Sequence, residues 1–168
     1  MKLLPLLVLF LLPTSFATTA STEYELDDLN VGKLFFKRLT ADEINKYQTI
    51  GKKHTTLEAF NDEFKKTYPA LHKKEEDYMK MVKEFDASNN NFLEKMSEAV
   101  NLMRVNMRKD KSKVDDKDIE KLSEHWTEQY NALTDEAKTK LKEMFPKTVE
   151  ILAGGKIKEL MDDEKKSL

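Results

Sequence analysis

The residues able to do acid–base or nucleophilic chemistry are few and scattered. The chain carries three histidines, His54, His72 and His125, and no cysteine. No two histidines stand at metal-ligand spacing and there is no His-Glu-x-x-His, so neither a structural nor a catalytic zinc site finds its ligands. Solvated surface positions are expected for all three. Gly-x-Ser-x-Gly, P-loop and dinucleotide fingerprints are also absent. Carboxylates are abundant, but helical spacing puts most of them on outer faces beside lysines. The pattern disfavours an enzyme and assigns no catalytic residue, metal or cofactor.

What remains is the chemistry of burial. Placed on a helix at 100° per residue, residues 89–107 gather Phe92, Leu93, Met96, Ala99, Val100, Met103 and Met107 within an arc of roughly 120°. An arc this wide suits a helix facing a core better than a narrow coiled-coil seam. Methionine is over-used: Met79, Met81, Met96, Met103, Met107, Met144 and Met161 all follow the initiator. Met fills irregular space, which fits a packed core and equally a deformable cavity accepting several apolar ligands. Two charges sit oddly against these faces. Arg104 lies at the edge of the arc, and Glu75 lies within the apolar side of the preceding helix. Each either reaches out to water or places a polar group at a cavity mouth.

Thr40-Ala-Asp-Glu43 supports two chemistries. It is a capping box, in which the Thr40 hydroxyl takes the Glu43 amide and the Glu43 side chain reaches back. It also has the Ser/Thr-x-x-Asp/Glu form of a casein-kinase-II-type site. Phosphorylation would end that cap, although the new charge would suit a helix N-terminus.

These residues need helices to position them. Thr40 opens one with Ile44, Tyr47 and Ile50 on its inner face. Thr55-Thr-Leu-Glu58 reads as a second capping box, opening a short helix with Leu57, Phe60 and Phe64. Upstream, Gly32 is expected to break the apolar run of Leu26, Leu29, Leu34, Phe35 and Leu39. Pro69 suits the first turn of a helix running to about Ala87, with Leu71, Tyr78, Val82 and Phe85 inward. Ser88 or Asn89 is expected to cap the Met-rich helix, and Asp115 or Asp116 the next, which carries Ile119, Leu122, Trp126, Tyr130 and Leu133. Thr134 caps a helix with Ala137, Leu141, Met144 and Phe145 inward; Pro146 starts a short one that Gly154-Gly155 stops. One further turn around Ile157, Leu160 and Met161 precedes the charged tail 162–168. No β-alternation occurs. The expectation is an all-α, single compact domain of roughly seven to nine amphipathic helices.

Charged residues make up 36% of the 168 residues, with four Gly and four Pro, as a helical protein requires. The formal charge of −2 argues against nucleic acid as a partner, which calls for a basic stripe. Residues 1–17 read as a cleaved signal peptide, with Lys2 as the n-region, an apolar run 3–12, and Ser15-Phe16-Ala17 at the cut. A cut after Ala20 is the alternative. The mature domain is then 18–168, with 18–25 and 162–168 frayed, and the protein is secreted to the extracellular space.

The order of segments resembles the nematode fatty-acid and retinol-binding proteins, small secreted helical lipid carriers. The resemblance is carried by residues 35–43 (FFKRLTADE), 52–55 (KKHT), 68–71 (YPAL), 81–84 (MVKE) and above all 130–138 (YNALTDEAK) with 141–146 (LKEMFP). Two stretches depart from the pattern: Asn89 to Asn91 replaces a Gly/Pro-containing break, and Glu75 stands where an aliphatic residue is usual.

The resemblance implies an internal apolar cavity for long-chain fatty acids and retinol (vitamin A). Its lining would include Ile44, Phe60, Phe64, Tyr78, Val82, Phe92 and Met96. Val100, Met103, Met107, Leu122, Trp126, Leu141 and Phe145 would complete it. Arg104 would be the head-group partner at the rim, and Thr40 the phosphorylation site. It leaves oligomeric state and transient membrane contact during loading open. The rival expectation is a secreted helical interaction protein, an antigen or host-directed effector, with a solid core.

Overall fold

The computed structural model describes residues 24–168. The signal peptide, both cleavage positions and residues 18–23 of the frayed start lie outside the described residues. Within them, the chain forms nine α-helices and no strand. A 3-10 turn, Leu26–Leu29, precedes α1 (Val31–Phe36), α2 (Ala41–Gly51), α3 (Leu57–Thr67), α4 (Pro69–Ser88) and α5 (Phe92–Lys109). A second 3-10 turn, Lys111–Lys113, leads to α6 (Asp116–Asn131), α7 (Asp135–Met144), α8 (Pro146–Ala153) and α9 (Ile157–Ser167).

Local chemistry sets most of these boundaries. The Thr40 capping box forms: the Glu43 N–H donates to Thr40 Oγ1 at 3.2 Å, and the Thr40 N–H donates to Glu43 Oε2 at 2.8 Å. Thr134 caps α7 and Asp115 caps α6 through side-chain oxygens. Pro69 and Pro146 begin α4 and α8, where a missing N–H costs nothing. Gly155, at φ +62°, ends α8. The Gly155 N–H reaches the Leu152 carbonyl and the Lys156 N–H reaches that of Ile151, the paired bonds of a Schellman stop.

Elsewhere the boundaries differ from expectation. The first apolar run breaks at Asn30, which stands between the 3-10 turn and α1, while Gly32 sits inside α1. Asn30 Oδ1 accepts the Lys33 N–H and so caps the new helix. The helix after His54 is capped by Thr56, whose hydroxyl accepts from the Ala59 N–H, so no Thr55–Glu58 box forms. Tyr24 and Glu25 are held: the Tyr24 hydroxyl donates to Glu150 at 2.7 Å, and the Glu25 N–H to Asp28 at 3.0 Å. The charged tail is helical through Ser167, because Glu164 and Lys165 find partners of opposite charge on other elements.

The turn from α4 to α5 departs furthest. Asn90 and Asn91 adopt the left-handed conformation, at φ 61° and 57°; after glycine, asparagine tolerates it best. Neither Ser88 nor Asn89 caps α5. Asp86, near the end of α4, accepts the N–H groups of Leu93 at 2.8 Å and Glu94 at 3.0 Å. Asp86 is buried, and burial raises its carboxyl above the usual range despite these two donors.

The described residues divide into two compact units: Phe35–Met81, and residues 24–34 together with Val82–Leu168. The first is built on rings. Tyr47 and Phe64 lie 4.3 Å apart between ring centroids and Phe60 stacks on Phe64 at 5.3 Å, while Phe35 meets Tyr47 and Tyr78. In the second, α6 packs against α5, α8 and α9, and the first 3-10 turn packs on α5, α8 and α9. Leu29, Leu93, Val100, Ile119, Leu141, Ile151, Leu152 and Ile157 have no exposed surface.

Candidate functional site

The expected lining residues are largely interior. Phe60, Phe64 and Tyr78 are buried in the first unit, where Ile44 is half-buried. Val82, Phe92, Met96, Val100, Met107, Trp126, Leu141 and Phe145 are buried in the second, and Met103 and Leu122 are half-buried there. Helical periodicity explains the α5 set: Leu93, Met96, Val100 and Met107 share one face, and Met103 lies at its margin. Rings bring together Phe60 with Phe64, and Phe92 with Trp126, the latter edge-on at 5.7 Å.

The polar groups are arranged less as expected. Arg104 does not stand as an unengaged cation at a rim. Its guanidinium donates to Asp27 at 2.7 Å and to both Glu164 oxygens at 3.2 Å, and its side chain is only 14% exposed. Burial opposes its charge, but the two carboxylates outweigh that and hold it above its ordinary range. A fatty-acid carboxylate would have to displace one of them. Pattern placed Arg104 correctly at the apolar margin, but its partners come from positions 77 and 60 residues away, beyond any local rule.

Glu75 is half-buried and accepts the Tyr47 hydroxyl at 2.8 Å. Burial raises its carboxyl above the ordinary glutamate range, the Tyr47 bond and nearby His72 pulling the other way. Burial and the neighbouring carboxylate push the Tyr47 phenol up in turn. With its proton held, the Tyr47 hydroxyl is the donor in this bond and Glu75 the acceptor. Two histidines also differ from the solvated reading: His54 contacts Glu63, and His72 Nδ1 lies 3.4 Å from Glu76, both side chains being mostly covered. Only His125 is exposed.

One polar atom in this set escaped sequence reasoning. Trp126 is 5% exposed, and its indole N–H meets no acceptor among the described residues. Buried donors left unmatched are rare in native proteins. Periodicity could mark Trp126 as inward but could not say whether its nitrogen has a partner. Among the described residues no group of His, Asp and Glu is placed to hold a metal ion, and no helix is long and apolar enough to cross a membrane.

The model of the family described as "Nematode fatty acid retinoid binding protein (Gp-FAR-1)" matches residues 33–163. No curated protein and no solved structure matches the chain. The match spans α2 to α8 whole, with most of α1 and α9, including both ring clusters and the Trp126 helix. This all-α chain therefore belongs to the nematode fatty acid retinoid binding protein family.

Proposed function

We propose that the protein is a secreted, non-catalytic carrier that takes up long-chain fatty acids and retinol into its apolar interior. The family match supports the ligand class, and the leader-like residues 1–17 support secretion. The driving force is burial: each methylene removed from water contributes about 0.8 kcal/mol. An acyl chain then gains on the order of 10 kcal/mol gross, less the cost of ordering it.

The observation that carries the reading is Trp126. A buried indole N–H without an acceptor, beside Phe92, offers a hydrogen bond to the polar end of an apolar guest. A neutral donor serves a carboxylate and a retinol hydroxyl alike, which an Arg104 already held by two carboxylates does not. The head-group contact is therefore assigned to Trp126.

The test begins with organic-solvent extraction of native protein, followed by titration of the stripped protein with a fluorescent fatty acid and with retinol. Both should bind. Trp126→Phe keeps an aromatic ring and removes the donor; it should weaken both ligands about fivefold, the worth of one hydrogen bond of about 1 kcal/mol. An all-hydrocarbon guest should be unaffected. Absence of extractable lipid together with no displaceable probe would return the chain to a helical interaction protein with a solid core.

A further inference from the structure

Among the described residues, two large apolar side chains besides the terminal Leu168 stand exposed, and both are on α5. Leu102 is 62% exposed and Val105 is 40% exposed. They are three residues apart and so lie side by side on one face of the helix. The opposite face holds Leu93, Met96, Val100 and Met107 in the core, so α5 cannot rotate to hide them. Lys95 and Lys109 sit seven residues before and after Leu102, both exposed and close to the same line along the helix. The stripe they bound is about 20 Å long. Beyond it, the second 3-10 turn exposes Lys111 and Lys113. Lys113 is paired with Asp110 and Arg108 with Glu164, whereas Lys109 and Lys111 make no ion pair among the described residues. Glu98, next to Leu102, and half-buried Glu94, close to the Val105 line, are the carboxylates on this face, outnumbered by Lys95, Lys109 and Lys111.

We propose that this face of α5 is a docking surface for an anionic lipid bilayer. Leu102 and Val105 would enter the headgroup boundary while Lys95, Lys109 and Lys111 reach the lipid phosphates and carboxylates. A cationic, partly apolar helix face combines the two forces that hold peripheral proteins at membranes. Lysine suits this place, because its stem can lie along the apolar layer while its ammonium stays at the surface. Charge complementarity argues against a second copy as the occupant: a symmetric pairing would set the lysines of one stripe against those of the other. The chain as a whole carries −2, so its average field is repelled by an anionic surface, and this basic stripe would select the docking orientation. With two apolar side chains the contact is weak and reversible, as exchange of cargo with a membrane requires. The proposal adds to the carrier reading and does not depend on it.

The test is flotation of the full chain with vesicles of phosphatidylcholine alone and of phosphatidylcholine mixed with phosphatidylserine. The protein should rise with the anionic vesicles only, and less so as salt is raised. Leu102→Asp with Val105→Asp should reduce the bound fraction by about tenfold or more. Lys109→Glu with Lys111→Glu should do the same. All four positions are solvent-exposed, so thermal melting and solution titration of a fluorescent fatty acid should match wild type, separating loss of docking from loss of cargo binding. Equal binding to neutral and anionic vesicles, or unchanged binding by either double variant, overturns the proposal. Concentration-dependent self-association abolished by Leu102→Asp, without vesicle binding, assigns the face to another copy and also overturns it.

Discussion

Glu75 shows how a single side chain can be placed by pattern and yet be understood only through its neighbours. Its spacing on α4 put a carboxylate on an apolar side; the structure adds the Tyr47 hydroxyl at 2.8 Å. Because burial raises the Glu75 carboxyl, the folded chain binds a proton there more tightly than the unfolded chain does. Stability is then lost as pH rises from the unfolded to the folded pKa, and the cost is complete above that window. Glu75→Gln keeps an oxygen for the Tyr47 hydroxyl and removes the charge. We expect a higher melting temperature at pH 7, by about 2–4 °C for each kcal/mol regained. The gain over wild type should vanish below about pH 4, where the unfolded carboxyl is itself protonated. A difference that persists unchanged in acid would mean that the ionised form is not the source of the cost.

Helices themselves were the most legible feature, because an all-α chain repeats its apolar residues at 3.6 and its caps within three positions of each start. Thr40, Asp115 and Thr134 all cap as their local context requires. The start of α5 was not legible in that way. Its cap comes from Asp86, six residues before Phe92, and works only because two left-handed asparagines fold the chain back. Asp86→Ala should strand two N–H groups at that buried start and cost about 1–2 kcal/mol in chemical denaturation. Asp86→Asn, which keeps one accepting oxygen, should cost less than Asp86→Ala. Equal stability of Asp86→Ala and wild type would show that the cap contributes nothing.

At the scale of the whole molecule, sequence spacing could nominate Arg104 but could not supply its partners. The guanidinium ties α5 to Asp27 in the first 3-10 turn and to Glu164 in the last helix. Removing the guanidinium takes a close partner from two largely covered carboxylates, which is costly. Arg104→Gln should lower stability by about 3 kcal/mol while changing fatty-acid and retinol affinity by the same factor, as read in parallel titrations. A loss confined to fatty acid would make Arg104 the head-group partner after all. The candidate interior was legible as a set of faces, since periodicity marks which residues point inward. Which inward polar atoms are satisfied, at Trp126 above all, is decided by contacts between elements distant in sequence.

The division of the chain has a consequence for the order in which it can be built. Residues 35–81 form one compact unit lying, in sequence, between the two segments of the other. Its ring cluster, from Phe35 to Tyr78, is complete once that span has been made. The other unit must wait. Asp28 receives its bond from the Thr148 hydroxyl, Tyr24 from across 126 residues meets Glu150, and Asp27 shares Arg104 with Glu164. Those contacts close a long loop, so they form late and slowly compared with the local ones. During synthesis the first turn and α5 therefore leave the ribosome well before the helix that completes their charge cluster, and their apolar faces stay uncovered for that interval.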